Sequence, residues 1–227
     1  KFDLYEVNLN SPPLGKMTSI PEYIAALKIK AANTPAGNWV VGWGYDDTLI
    51  KEMRHPTREE LDQVSTEHPI YIKHISMHMG VANTKAMEIA GIMDGSNPAY
   101  ATEVAAGNVP MDGNGKPLGL LQETKAMAMV NTNIPGLTLE QTYSYIQRAA
   151  DVYAAVGVTL ADNGAAFFSG NPKPGGTQDY LLFFQELNRR NQLPIRADIH
   201  PLGRYVVPVA GTMIDASAGI RQILGWT

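Results

Sequence analysis

Apolar residues in this chain fall into short runs that switch between the period of a strand and that of a helix, separated by Gly, Pro, Asn and Asp. Phe2 to Leu9 alternates loosely, as a strand does, before the loop at Pro12 and Pro13. Ser19-Ile-Pro-Glu22 reads as a capping box with an early proline, and Ile20, Tyr23, Ile24 and Leu27 then share one helical stripe. Trp39 to Trp43 predicts a buried strand that empties into the polar, aromatic loop Gly44-Tyr-Asp-Asp47. Thr57-Arg-Glu-Glu60 predicts a second capped helix through Val64, and Pro69 to His74 a further strand. Asn83 is placed to cap a helix over 84–90, with Gly91 as its left-handed stop.

Residues 93–119 are rich in Gly, Pro, Asn and Asp, and Asp112-Gly-Asn-Gly115 signals a tight turn. Beyond them Thr138-Leu-Glu-Gln141 opens a long helix that ends at Gly157. A short strand over 158–162, a helix over about 178–190 and a strand over 194–200 follow. Strand, helix, strand at these lengths implies a parallel sheet, whose chemistry gathers at the carboxyl ends of its strands. That selects Asp162, Asn163 and His200.

Composition narrows the function. Hydrophobic residues make up 44% and charged residues 18%, enough apolar surface for a globular core. The net charge of −4 and the scattered Lys and Arg exclude a nucleic-acid partner, which needs a clustered basic face. No run approaches the length needed to span a bilayer, so no membrane partner is expected. The absence of cysteine excludes disulfides, thiolate metal sites and a cysteine nucleophile. It is compatible with cytoplasm or periplasm; with no leader pattern at the start, the cytoplasm is favoured over secretion. A start without methionine suggests a beginning inside a longer protein, and a processed terminus would look the same.

The five histidines, at 55, 68, 74, 78 and 200, form neither His-x-His nor His-Glu-x-x-His. His74 and His78 are four apart, but the run before them has strand character and Gly80 ends it, which argues against a helical metal pair. His78, placed between a strand end and a helix start, either fixes its loop together with Asn83 or serves function. Gly42-Trp-Gly-Tyr-Asp-Asp47 reads first as a solvated turn. Gly119-Leu-Leu-Gln-Glu123 reads as a helix start with Glu in its first turn. Gly175-Gly-Thr177 lacks the lysine of a phosphate loop, and Gly-x-Ser-x-Gly is absent.

Four segments in order carry a family resemblance: Trp39-Val-Val-Gly-Trp-Gly-Tyr-Asp46, Arg58 through Asn83-Thr-Lys-Ala-Met87, Gly119-Leu-Leu-Gln-Glu123 and Gly157-Val-Thr-Leu-Ala-Asp162. The chain resembles the amidohydrolase-3 family, in particular its branch of N-substituted formamide deformylases. Met77 and Met79 flank His78 where the family often has Gly and a small residue, and Asn163-Gly164 follows Asp162 where Ala-Gly is common.

The resemblance implies an α/β fold: part of a (β/α)8 TIM-type barrel with an inserted α+β lid subdomain. Residues 1–41 would be an early barrel segment, 42–135 the inserted lid and pocket, and 136–227 βα units around the second and third barrel strands. It implies a divalent metal, zinc expected, in the complete enzyme. The metal's His-x-His would lie upstream of Lys1, and its lysine and other ligands beyond Thr227, so none falls in this segment. The implied reaction is hydrolysis of non-peptide carbon–nitrogen bonds of amide or formamide type, on a small-molecule substrate, with this segment inactive alone. His78 would be the catalytic hydrogen-bond donor, and Trp43, Tyr45, Asp46, Asn83, Glu123 and Asp162 would bind substrate. Open sheet edges in such a segment would make a homo-oligomer possible. The alternative is a non-catalytic small-molecule binding or scaffold module derived from that family.

Overall fold

A computed structural model describes residues 5–166 and 180–201, which fall into two compact units that meet in sequence at Pro135 and Gly136. The first is built on a mixed five-stranded sheet. Its elements are β1 (Val7–Asn8), α1 (Ile20–Ala32), β2 (Val40–Tyr45), α2 (Arg58–Asp62), β3 (Ile70–His74), β4 (Met79–Ala82), α3 (Thr84–Ile89), α4 (Tyr100–Ala105), β5 (Leu120–Gln122) and α5 (Glu123–Asn131). β1, β2 and β3 are parallel neighbours; β4 and β5 extend the sheet antiparallel.

Both faces of this sheet are buried, which is why β2 and β3 read as near-continuous apolar runs. On β3, Ile70 and Ile72 pack with Leu9, Tyr23 and Leu27 on one side, while Tyr71 packs with Met87, Leu121 and Val130 on the other. The same alternation divides Val81 from Ala82 on β4. Residues between β4 and β5 leave and return at one place, where the Ala82 N–H donates to the Gly119 carbonyl at 3.0 Å.

The second unit holds α6 (Leu139–Ala155), β6 (Leu160–Ala166), α7 (Tyr180–Arg189) and β7 (Arg196–Pro201). β6 and β7 are parallel, as the strand–helix–strand pattern predicts. Ile146 of α6 packs with Phe183 and Leu187 of α7. The fold is α/β, and among the described residues the strands form no closed barrel. Among the described residues no helix is long and apolar enough to cross a membrane.

Predicted caps meet different fates. Thr57 and Thr138 form complete capping boxes with Glu60 and Gln141, and Gly91 and Gly157 take positive φ after their helices. Ser19 begins α1 without a side-chain cap bond, because Glu22 turns instead to the Thr18 amide at 2.6 Å and hydroxyl at 3.0 Å. The second helix stops at Asp62, short of Val64. Gly80 does not end the strand region: the chain reverses at residues 75–78 and Gly80 sits within β4, paired with Lys73. Leu120–Gln122 forms β5, and the helix starts after it with Glu123 in its first turn.

Candidate functional site

The carboxyl ends of β2 and β3 lie side by side, and the residues that follow them converge. Pairing shifts register between Trp43 and Tyr45, where Gly44 adopts φ 87° with Asn10 so close that a Cβ would lie 2.5 Å from its side chain. Tyr45 is thereby set opposite His74 and fully buried. Its ring meets His74 edge-on at 5.0 Å and His55 at 5.9 Å, and its hydroxyl lies 3.2 Å from His55 Nδ1. Burial drives the Tyr45 phenol well above its ordinary value. Burial also lowers the basicity of His55, against the pull of Asp47.

Asp46 and Asp47 complete the cluster. The Tyr23 hydroxyl accepts from the Asp46 N–H at 3.3 Å and holds its backbone, while Asp46 Oδ1 accepts from the Thr48 amide at 2.9 Å and hydroxyl at 2.6 Å. Burial works against the Asp46 carboxylate, but those two bonds and the nearby His74 and His55 hold its pKa below the usual range. Asp47 Oδ1 stands 3.0 Å from His74 Nε2 and 3.6 Å from His55 Nδ1. The first contact is out of line for a hydrogen bond, leaving the buried Nε2 without a hydrogen-bond partner. On the other side of the ring, Nδ1 faces the Ser76 hydroxyl at 2.8 Å and its amide at 3.1 Å. Among the described residues, Asp46, Asp47 and His74 form the one group of histidine and carboxylate donors that gathers within 4.8 Å. The sequence places no metal ligand in this chain, and parallel strand ends were the signal that could have found this group: Asp46-Asp47 follow one and His74 ends the next.

A second exposed pairing lies at the β3–β4 turn. His78 Nδ1 is 3.2 Å from Glu123 Oε2, and the Glu123 N–H donates to the His78 carbonyl at 2.8 Å. His78 follows Met77, and both Met77 and Glu123 carry φ 65°, a conformation that non-glycine residues hold only under constraint from their surroundings. His78 therefore stands on a strand turn, away from the start of α3.

The remaining predicted residues are dispersed. Trp43 is half-buried within β2. Asn83 is fully buried, and its four side-chain hydrogen bonds go to backbone: Oδ1 accepts from Ile70 and Ala86, and Nδ2 donates to the Ser65 and His68 carbonyls. No donor or acceptor of its amide is left for a substrate. Asp162 is exposed within β6 rather than at its end, opposite Asp198. Asn163 and His200 lie in β6 and β7, and Gly175-Gly-Thr177 lies outside the described residues.

Comparison with known proteins gives a match to the amidohydrolase family over residues 3–224. The N-substituted formamide deformylase of Arthrobacter pascens is 34% identical over 120 residues, covering 53% of this chain and 21% of that protein. Protein LONG AFTER FAR-RED 3 of Arabidopsis thaliana is 24% identical over 176 residues, covering 77% and 29%. The crystal structure of an uncharacterized metal-dependent hydrolase from Pyrococcus horikoshii aligns with a TM-score of 0.54 at 22% identity, covering 92% of this chain and 35% of that one. The aligned part thus amounts to between a fifth and about a third of each relative's length.

Proposed function

This chain belongs to the amidohydrolase family, and from that premise we propose that it is a segment of a metal-dependent hydrolase of non-peptide carbon–nitrogen bonds, acting on small amide- or formamide-type substrates. The likeness to the formamide deformylase supports the bond type. In the complete enzyme a divalent metal, zinc on this reading, would supply an activated water for attack on the carbonyl. The metal is held by residues outside this chain, which is inactive alone. On this reading residues 1–41 and 136–227 belong to a partial (β/α)8 barrel, and residues 42–135 form a lid and pocket subdomain.

The observation that carries the chain's own role is the exposed His78–Glu123 pair. With Nδ1–H donated to Glu123, the second ring nitrogen of His78 faces solvent, and donates when the ring is doubly protonated. A donor held this way stabilises the negative charge that develops on the carbonyl oxygen. Constrained backbone at Met77 and Glu123 supports preorganisation of the pair. Trp43 and Tyr45 give the pocket its aromatic wall and Asp46 its polar edge.

The test is steady-state kinetics of the full-length, metal-loaded protein on N-formyl and N-acyl amines. His78→Ala lowers kcat by about 10²–10³-fold, and Glu123→Gln lowers it less, with KM little changed. Unchanged turnover in His78→Ala removes the assignment. A full-length protein that binds such amides without hydrolysing them leaves the alternative, a small-molecule binding module.

A further inference from the structure

We propose that Asp46, Asp47 and His74 form a binding site for a first-row divalent cation, held entirely by this chain. Three observations independent of the proposed hydrolysis lead there. First, the three side chains come from the ends of adjacent parallel strands, so sheet pairing rather than a flexible loop fixes their spacing. Second, the His74 side chain is only 8% exposed, and its Nε2, the atom facing Asp47, has no hydrogen-bond partner. A buried ring nitrogen without a hydrogen bond is costly in either tautomer. Third, Nε2 and Asp47 Oδ1 stand 3.0 Å apart but out of line for a hydrogen bond.

The dimensions suit a cation. Ligand bonds of about 2.0–2.2 Å place neighbouring donors roughly 3–4 Å apart. Nε2 and Asp47 Oδ1 already meet this, and one ligand atom from each of the three residues lies within 4.8 Å of the others. Asp46 can keep Oδ1 on Thr48 and offer Oδ2. On the far side of the imidazole, Nδ1 lies 2.8 Å from the Ser76 hydroxyl, and a cation on Nε2 takes the tautomer in which Nδ1–H donates to that oxygen. The Ser76 amide N–H, which donates to Nδ1 at 3.1 Å, gives up that bond when the cation binds. One imidazole and two carboxylates favour Mn²⁺, Fe²⁺, Co²⁺ or Zn²⁺ over Ca²⁺ and Mg²⁺, which take oxygen ligands. Two carboxylates also balance the double positive charge, and His55 stands at the edge with its Nδ1 3.6 Å from Asp47.

The experiment uses the 227-residue chain stripped of metal and titrated with Co²⁺, read by visible absorption, with Zn²⁺ as competitor. One equivalent binds saturably, and Zn²⁺ displaces it. Asp47→Asn and His74→Gln, each checked for folding by circular dichroism, weaken binding about tenfold or more; Glu88→Gln, on the surface of α3, leaves it unchanged. Proton NMR of the unaltered chain gives a reading that needs no variant: substoichiometric Mn²⁺ broadens the His74 imidazole signals before those of His68. Absence of saturable binding, equal affinity in both folded variants, or sharp His74 signals at saturating Mn²⁺ would each overturn the site. None of these outcomes bears on His78, so this proposal and the proposed hydrolase role stand or fall separately.

Discussion

Asn83 accepts hydrogen bonds from Ile70 and Ala86 through one oxygen, at 2.9 and 3.0 Å, and so ties the start of β3 to the first turn of α3. Its amide nitrogen closes the same knot by donating to the Ser65 and His68 carbonyls. Asn83→Ala removes a helix cap and leaves buried backbone groups unpaired, with an expected loss of about 3 kcal/mol or more. Urea unfolding measures it. Asn83→Asp also loses stability, because a carboxylate oxygen would then face two carbonyls.

The two predicted capping boxes near the start of the chain differ in kind. Thr57 accepts from the Glu60 amide at 3.3 Å, whereas Ser19 makes no cap bond. Thr57→Ala therefore costs about 1 kcal/mol, and Ser19→Ala costs clearly less. The comparison of denaturation midpoints fails if Ser19→Ala proves the more damaging.

Glu60 is also the group whose titration reports on this corner. Hydrogen bonds from Arg54 at 2.6 and 2.9 Å hold its pKa below the ordinary glutamate value, burial opposes them, and the Thr57 amide adds to the lowering. A depressed carboxylate stabilises the fold above its unfolded pKa of about 4.3. That contribution disappears as pH falls through the lower folded value. Glu60→Gln keeps the capping geometry and loses the charge, so its stability deficit against the unaltered chain should shrink on acidification below about pH 4. A deficit independent of pH would contradict the ion pair.

Gly119 and Gly115 both carry positive φ, yet their surroundings differ. A Cβ on Gly119 would lie 2.8 Å from the Ala82 carbonyl oxygen and 2.9 Å from the Arg58 nitrogen, whereas one on Gly115 would meet nothing within 4 Å. Gly115→Ala bears only the backbone strain, about 1–2 kcal/mol. Gly119→Ala adds a clash with main chain that cannot rotate away, and its loss should be well above that of Gly115→Ala in thermal unfolding.

Local signals in the sequence carry much of this fold. Caps at Thr57, Asn83 and Thr138, stops at Gly91 and Gly157, and the parallel β6–β7 pair are each legible, because each depends on residues close along the chain. The β3–β4 reversal is not: its turn contains Met77 at positive φ, a residue that gives no turn signal. The same distinction governs the strand-end cluster. Asp46 and Asp47 stand in a visible loop, but His74 reaches them only through the pairing of β2 with β3 and the shift at Gly44. Glu123 and His78 are separated by the whole stretch from β4 to β5, and no spacing rule joins them.

That stretch leaves the sheet at Ala82 and rejoins it at Gly119, where the two backbones touch. Its hem is thus already sewn: segments of other lengths could be spliced between these points without shifting a strand. What such a graft must keep is its underside, since Met87, Ile92 and Val109 shelter Tyr71 and Leu121 from water. Length is free to drift there, and the apolar lining is the inherited constraint.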